Sequence, residues 1–403
     1  MHELIAKTDL CVQCGLCLAH CPTYGKTQNE NESPRGRLSL IQAWANGDLP
    51  GSKKLKAHID NCLLCRSCEK VCPALVPYGE IVDEFRNATQ GNNKMAMDLT
   101  LLKKIAHHKK FNHIARRILN SYQSSGIQEI IQFLKISKLF KLDKIERLIN
   151  NKQNPAPQVI DDYYPAVTIE KGDVGLFVGC MGSLLDQETI HSAIKLLTLA
   201  GFNVHIPDSQ TCCGALDLHS GDKSKSTQLE HINQQVFATK EWIAIISIAS
   251  GCGSQLKDYD NKEFADKTVD ISQFLLDQKI IFNSVLPDNS MVVVHTPCSL
   301  KNSMQQEQGA LTLVKQIPDI KIKVISQTIQ CCGSAGSYML QHPKMAELLV
   351  DDLINELISY KPIPNYCVTS NIGCVLHIRA RCRERNIELE VIHPVTLLAK
   401  KLA

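Results

Sequence analysis

Eight of the eighteen cysteines in this 403-residue chain lie in two short runs with identical spacing. The first run, CVQCGLCLAHCP, spans residues 11–22, and the second, CLLCRSCEKVCP, spans residues 62–73. Both runs follow the pattern C-x2-C-x2-C-x3-C-P. Thiolates at such short intervals can wrap around one point, which suits a metal cluster better than a set of disulfides in a chain of this length.

This spacing is typical of bacterial-type proteins that bind two [4Fe-4S] clusters, in which the fourth cysteine of each run ligates the other cluster. We therefore assign cluster 1 to Cys11, Cys14, Cys17 and Cys72, and cluster 2 to Cys62, Cys65, Cys68 and Cys21. Zinc is the weaker alternative, because zinc sites built from four cysteines usually set two C-x2-C pairs well apart. The exchange of fourth ligands joins both runs in one domain.

The segment between the two runs contains a predicted helix with the sequence RGRLSLIQAWANG. Leu38, Ile41 and Ala45 fall on one face of this helix. Arg35 and Arg37 at its start either offset the negative charge of the clusters or belong to a solvated helix end. The sequence supports both interpretations equally.

Eight further cysteines form a second pattern that also occurs twice. The first copy contains Cys180, Cys212, Cys213 and Cys252, and the second contains Cys298, Cys331, Cys332 and Cys374. Matching cysteines are 118, 119 or 122 residues apart, which indicates two copies of one module. Apolar runs alternate with helix-like stretches in each copy and predict parallel α/β modules. Because such sheets bind ligands at the carboxyl ends of their strands, we expect the four thiols of each module to converge there.

Four hypotheses fit these eight thiols, and one of them is a reduced docking surface for a partner. A Cys-Cys-Gly sequence on a tight turn favours a metal or cluster site, since glycine allows a close approach of the backbone. Buried cysteines also serve as small apolar side chains. Another hypothesis is a thiol–disulfide enzyme that acts through the adjacent cysteine pairs. Cys367 and Cys382 have no counterpart in the first copy, and we interpret them as packing residues.

A basic segment lies between the two kinds of domain. Residues 103–147 contain eleven Lys or Arg against three Asp or Glu, in the pattern of amphipathic helices. Such a segment either binds an anionic membrane surface or an acidic partner, or it is a connector whose outer face is basic. The predicted fold class is α+β overall. We predict a ferredoxin-like 2[4Fe-4S] domain at 1–93, a basic helical connector at 94–168, and two repeated parallel α/β modules at 169–285 and 286–403.

Composition argues against several classes of protein. The net charge of +3 gives no reason to expect a nucleic-acid partner. No apolar run approaches the roughly 20 residues that span a bilayer, and the first residues, MHELIAKTDLC, lack the features of a signal peptide. We predict a cytoplasmic protein that is peripheral on the inner face of the cell membrane.

The two doubled motifs together resemble the iron–sulfur subunit of bacterial glycolate oxidase (glycolate dehydrogenase). The resemblance covers essentially the whole chain and includes the segments CVQCGLCLAHCPTY, ESPRGRLSLIQ, CLLCRSCEKVCP, SGCGSQLKDY and TSNIGCVLHI. Related proteins with CCG (cysteine-rich) domains include heterodisulfide reductase, whose type has a fifth cysteine three positions before the last. Ala249 and Asn371 stand at those positions here, which speaks against disulfide chemistry of that kind.

The resemblance implies an electron-transfer subunit with two [4Fe-4S] clusters and, as a further prediction, additional clusters in the CCG domains. We find no strand-linked G-x-G-x-x-G and no phosphate-binding G-x-x-x-x-G-K-[ST], and therefore expect no catalytic residues and no activity of the chain alone. FAD is expected only on flavoprotein partner subunits that oxidise glycolate to glyoxylate, and the electrons are expected to pass toward the membrane quinone pool. The alternatives are the iron–sulfur subunit of a D- or L-lactate or anaerobic glycerol-3-phosphate dehydrogenase complex and, in another class, a cluster- or zinc-stabilised structural scaffold.

Overall fold

The computed structural model describes residues 1–90, 103–104, 115, 146–147, 160–283, 285–328 and 331–402. The N-terminal domain is helical in this part: α1 His2–Asp9, α2 Pro22–Thr27, α3 Pro34–Ala45, α4 Lys53–Asp60, α5 Ser67–Lys70 and α6 Tyr78–Ala88, with short 3-10 turns at Leu18–His20 and Glu30–Glu32. Helix α3 is the helix predicted between the two cysteine runs. Its N-cap is Ser33, whose hydroxyl accepts a hydrogen bond from the Gly36 N–H and satisfies a donor of the first helical turn.

The first cysteine-rich module, called module 1, is built on a five-stranded sheet in the order β1-β3-β2-β4-β5. Its strands are β1 Tyr163–Tyr164, β2 Gly172–Phe177, β3 Phe202–His205, β4 Ala244–Ser247 and β5 Thr268–Asp270. Its helices are α7 Cys180–Leu185, α8 Gln187–Leu199, α9 Ala215–Leu218, α10 Lys223–Phe237, α11 Ser250–Lys257, α12 Lys262–Lys267 and α13 Ile271–Asp277. Only the edge strand β1 is antiparallel to its neighbour, and it precedes residue 169, the predicted start of this module.

Module 2 is built on a four-stranded parallel sheet in the order β7-β6-β8-β9. Its strands are β6 Met291–Val294, β7 Lys321–Val324, β8 Tyr366–Val368 and β9 Glu390–Ile392. A π-helix at Ser299–Met304 is followed by α14 Gln308–Val314, α15 Tyr338–Gln341, α16 Pro343–Ser359, α17 Ile372–Glu384 and α18 Pro394–Lys401. Without β1, the two sheets have the same strand order, and the predicted repeat of parallel α/β modules is confirmed.

In both modules the strand order reverses at the same place: the chain first adds a strand on one side of the first parallel strand and then adds the next on its other side. Strand β2 pairs with β3 on one side and with β4 on the other, so the two crossover connections run in opposite directions. Strands β6, β7 and β8 repeat this arrangement. A crevice forms outside the carboxyl ends of the two central strands at such a reversal and is the usual ligand site of open parallel sheets.

Most of the basic segment lies outside the described residues. Two of its cations that are described contact the modules. Lys103 is buried and lies 3.0 Å from a carboxylate oxygen of Asp217 in module 1, and Arg147 lies 2.7 Å from a carboxylate oxygen of Glu347 in module 2. These two cations therefore do not belong to a basic outer face. In the described parts of the chain, every helix is too short or too polar to traverse a bilayer.

Candidate functional site

The first cysteine run lines an open hollow of about 460 Å³ at the protein surface, which we call the outer hollow. The structure brings together here the four cysteines predicted for cluster 1: Cys11, Cys14, Cys17 and Cys72. Cys14 is exposed, and the other three are partly buried. The fourth of these residues comes from the second run, as the crossed arrangement requires.

A second hollow of about 300 Å³, the inner hollow, is lined by the four cysteines predicted for cluster 2: Cys21, Cys62, Cys65 and Cys68. Cys65 is partly buried, and the other three are buried. Cys68 borders both hollows. The two sites are therefore neighbours within one domain.

Both cysteine runs fold into the same loop. The residues two and four positions after the first cysteine have left-handed backbone in each run: Gln13 (φ 55°), Gly15 (φ 83°), Leu64 (φ 51°) and Arg66 (φ 55°). Such alternation of backbone hand turns successive N–H groups to one side and forms a concavity that suits an anion, including iron–sulfur clusters. Because this conformation costs a residue other than glycine roughly 1–2 kcal/mol, its repetition at matching positions fits a loop shaped to hold a cluster.

One buried cation borders the inner hollow. Arg37 is only 1% exposed and donates hydrogen bonds to the His58 carbonyl oxygen (2.8 Å), Thr23 Oγ1 (3.1 Å) and Glu32 Oε2 (2.6 Å). Arg35 lies on the outer hollow instead, where it donates to the Gln13 carbonyl oxygen (3.2 Å). Of the two interpretations of these arginines, a solvated helix end does not apply to Arg37.

The four thiols of module 1 form a string at the carboxyl edge of the sheet. Cys180 begins α7 just after β2, and Cys252 lies in α11 just after β4, so both belong to the reversal point. The Sγ atoms of Cys180 and Cys212 are 3.6 Å apart, Cys212 contacts Cys213, and Cys213 contacts Cys252. Hydrogen bonding to Cys212 and burial raise the pKa of the Cys180 thiol.

Module 2 repeats this string with the corresponding residues. Cys298 contacts Cys331, Cys331 contacts Cys332, and the Sγ atoms of Cys332 and Cys374 are 2.8 Å apart. Hydrogen bonding to Cys331 and burial raise the pKa of the Cys298 thiol. Without a metal, such thiols remain protonated at neutral pH, and metal binding would displace their protons. The four thiols of each module thus lie as a string of neighbouring pairs.

The glycine of each Cys-Cys-Gly turn is required by its backbone and by its surroundings. Gly214 and Gly333 have φ angles of +88° and +79°. An added Cβ would lie 2.7 Å from Ser226 Oγ at the first position and 2.5 Å from the Ala346 carbonyl oxygen at the second. Both turns therefore depend on glycine for their left-handed conformation and their tight packing.

Two residues that support the first Cys-Cys-Gly turn were not identified from the sequence. Asn233 donates to the Cys212 carbonyl oxygen (3.0 Å), and the Tyr259 hydroxyl donates to the Cys213 carbonyl oxygen (2.9 Å). They lie 21 and 46 residues beyond the cysteines that they contact and belong to no recognisable motif, so only the folded structure reveals them.

The sulfur geometry does not suit a single zinc ion. Bonds of about 2.3 Å in a tetrahedron place the four sulfurs about 3.8 Å apart. Among the described residues, no three cysteines have Sγ atoms that all lie within 4.8 Å of one another. The remaining two cysteines, Cys367 and Cys382, are buried in an apolar core cluster of module 2.

Comparisons with known proteins agree with this arrangement. A 4Fe-4S dicluster domain matches residues 7–76, and a cysteine-rich domain matches residues 174–257 and 292–379. The "probable glycolate oxidase iron-sulfur subunit" of Bacillus subtilis (strain 168) is 30% identical over 96% of this chain and 92% of its own length.

Two further relatives extend the comparison. The glycolate oxidase iron-sulfur subunit of Escherichia coli (strain K12) is 28% identical over 93% of this chain and 90% of its own length. Lactate utilization protein A 2 of Bacillus cereus (strain Q1) is 24% identical over 57% of this chain and 99% of its own length. With its dicluster domain and two cysteine-rich domains, the chain belongs to the family of glycolate oxidase iron–sulfur subunits.

Proposed function

We propose that this chain is the electron-carrying subunit of a glycolate dehydrogenase complex. It takes electrons from flavoprotein partner subunits, which hold FAD and oxidise glycolate to glyoxylate, and passes them toward the membrane quinone pool. The observation that supports this function best is the pair of neighbouring hollows, each lined by the four cysteines predicted for one cluster, on loops of the same conformation. A [4Fe-4S] cluster, when bound, supplies a centre that takes up and releases single electrons.

We propose crossed ligation for these two sites. Cys11, Cys14, Cys17 and Cys72 hold the outer cluster, and Cys62, Cys65, Cys68 and Cys21 hold the inner one. Neighbouring hydroxyl groups reach two of the inner sulfurs: Thr23 Oγ1 is 3.3 Å from Cys21 Sγ, and the Tyr78 hydroxyl donates to Cys62 Sγ at 3.6 Å. Hydrogen bonds to ligand sulfurs tune the reduction potential of a cluster. Thr23 and Tyr78 therefore act on the inner site.

Substitution of the fourth cysteine of the first run tests the crossing. In Cys21→Ala we expect loss of the inner cluster and retention of the outer one, because Cys21 lines the inner hollow. Cys11→Ala is the matched control and should damage the outer cluster. EPR spectra of the reduced proteins distinguish the two losses. The same cluster missing from both variants would refute crossed ligation.

Dependence on a partner tests the electron-transfer function itself. The purified chain should not reduce a dye with glycolate, and activity should appear on co-expression with flavoprotein subunits. Activity with D-lactate, L-lactate or glycerol-3-phosphate in place of glycolate would assign the chain to one of the alternative complexes. Brown protein that dithionite bleaches is expected, whereas an active but colourless protein would contradict the function and favour a structural scaffold.

We also propose that the thiol strings of the two modules bind additional clusters. Two [4Fe-4S] clusters contain about eight iron atoms per chain, and each further one adds about four. Iron content above eight that falls in Cys213→Ser and in Cys332→Ser is expected. Cys382→Ser, which removes a buried thiol outside the strings, should leave the iron content unchanged. A value near eight in all of these proteins would confine iron to the N-terminal domain.

For the location, we propose that the protein is peripheral on the cytoplasmic face of the cell membrane. The candidates for lipid contact are Lys109, Lys110, Arg116 and Arg117, which lie outside the described residues. Each basic residue near an anionic surface contributes about 1 kcal/mol. Charge reversal at these positions should weaken binding to anionic vesicles and leave binding to zwitterionic vesicles unchanged. Equal binding of the reversed protein would favour a plain connector.

A further inference from the structure

Module 2 packs against the loop that carries Cys65, a residue of the inner hollow, in an apolar contact that contains cysteines from both sides. The residues that pack together are Leu63 and Cys65 of the N-terminal domain and Cys298, Cys331, Tyr338, Ala346 and Leu349 of module 2. A predicted ligand of the inner cluster therefore shares an apolar environment with the first two thiols of the second string.

Hydrogen bonds hold this contact in place. Asn302 Nδ2 donates to the Cys65 carbonyl oxygen at 2.8 Å, so a module 2 side chain fixes the backbone of the cysteine itself. The Tyr338 hydroxyl donates to Asn61 Oδ1 at 2.7 Å, next to Cys62. Polar pairs on both sides of the apolar cluster keep the two surfaces in a fixed relative position.

Module 1 contacts the N-terminal domain through polar pairs, one of which joins Arg66 Nη1, beside Cys65, to Asp258 Oδ2 at 2.8 Å. Arg86 Nη1 donates to the His219 carbonyl oxygen at 3.1 Å, and the Lys223 N–H donates to Asn87 Oδ1 at 3.4 Å. Arg86 and Asn87 lie at the end of α6, and no cysteine side chain takes part in these polar pairs. Cys252 packs instead against the core cluster of module 2 that contains Cys332 and Cys374. The described thiols therefore run in order from module 1 to module 2 and then to the inner hollow.

We propose that module 2 exchanges electrons directly with the inner cluster across the Cys65 contact, and that module 1 reaches this cluster through module 2. One electron leaves the reduced centre held by the module 2 thiols and arrives at the inner cluster, which oxidises the first and reduces the second by one electron. No covalent bond forms or breaks. The electrons come from the reduced flavoprotein in the complex, or from dithionite in the test. This inference rests on the proposed function, because it requires clusters at the inner hollow and in module 2.

The test compares matched cysteine substitutions in the two modules of the full-length, iron-reconstituted protein. After reduction with dithionite, the EPR signal of the inner cluster is identified as the one that Cys21→Ala removes. A second paramagnetic centre close by speeds its spin relaxation. The outer cluster contributes to this enhancement in every variant, and we expect Cys298→Ser and Cys331→Ser to remove the further part that a module 2 centre contributes, so that the signal saturates at lower microwave power. Cys180→Ser and Cys212→Ser in module 1 should leave the saturation curve as in the unmodified protein.

A packing variant separates the redox effect from a structural one. Leu349→Ala alters the same apolar cluster without removing a thiol, and we expect its saturation curve to match that of the unmodified protein. Three results would each overturn the inference. They are an equal change in the saturation curve from the module 1 and module 2 variants, no change from either pair, and the same change from Leu349→Ala. Failure of the proposed function looks different: the unmodified protein would then lack iron and the inner-cluster signal altogether.

Discussion

The outer and inner hollows are made by the same cysteine motif and the same loop conformation, yet their surroundings differ. Cys14 and the neighbouring Val12 and Leu16 leave the outer hollow open to solvent, with Val12 69% and Leu16 57% exposed. Three of the four cysteines of the inner hollow are buried, module 2 packs against the fourth, Cys65, and the buried Arg37 borders the hollow. The motif thus determines how the loop is shaped, whereas tertiary contacts determine how much water and charge each site meets. Those two factors set the potential of an iron–sulfur cluster.

The largest expected difference between the hollows is their access to an iron chelator. In the reconstituted protein, a water-soluble chelator should remove iron in two phases, and the outer cluster should go first because Cys14 is exposed. Parallel measurements of iron release and EPR spectra identify which signal disappears in the fast phase. A single phase, or earlier loss of the inner cluster, would mean that the burial of the inner cysteines does not protect their cluster.

The next prediction concerns the two arginines of α3. Arg37→Met should lower the free energy of unfolding by about 3–5 kcal/mol, because it leaves the carboxylate of Glu32 buried without its cation. The matched change Arg35→Met removes an exposed partner of Glu30 and should have little effect. Urea unfolding of the cluster-loaded proteins gives both values.

A second substitution distinguishes the lost ion pair from lost packing. Adding Glu32→Gln to Arg37→Met removes the unpaired charge and should restore part of the stability. No restoration in the double variant, or equal losses in the two arginine variants, would show that the buried ion pair is not the source of the difference.

Much of the fold and of the candidate site can be predicted from local sequence patterns. The helix at Pro34–Ala45, the module repeat and the grouping of thiols at strand ends depend on periodicity and spacing, which are visible in the sequence. The burial of Arg37 is not visible in this way. Its partners His58, Thr23 and Glu32 come from three different segments, and a charged residue at a helix start is more often solvated.

The contact between the domains is the part that the sequence does not reveal. Lys103 and Arg147 belong to a segment whose composition suggests a basic surface, but each pairs with a carboxylate of a distant module. Likewise, nothing about Cys65 distinguishes it from Cys14, the matching cysteine of the first run. Such contacts depend on how domains pack, and single long-range pairs have no periodic signature in a sequence.

A smaller effect is expected from the left-handed residue at the outer loop. Gly15→Ala should lower the free energy of unfolding by about 1–2 kcal/mol, because its φ of +83° is costly for any residue with a Cβ. Gly25→Ala is the control: Gly25 lies in α2 with nothing within 4 Å of an added Cβ, and alanine is the better helix former by about 1 kcal/mol. A lower free energy of unfolding in Gly15→Ala and a higher one in Gly25→Ala would support the need for left-handed backbone at Gly15. Similar changes at both positions would contradict it.

The smallest effect is expected at the contact between module 2 and the N-terminal domain beside the inner hollow. Tyr338→Phe removes the hydroxyl that donates to Asn61 Oδ1 and should lower stability by about 1 kcal/mol, since Tyr338 is buried and the loss leaves an acceptor poorly satisfied. Tyr360→Phe is the control, because the Tyr360 hydroxyl bonds Glu356 within module 2 and does not reach the N-terminal domain. The melting temperature of the cluster-loaded protein gives the size of each effect. A double-mutant cycle of Tyr338→Phe with Asn61→Ala should show a coupling free energy of at least about 0.5 kcal/mol. Strictly additive effects would mean that this hydrogen bond does not stabilise the contact between module 2 and the N-terminal domain.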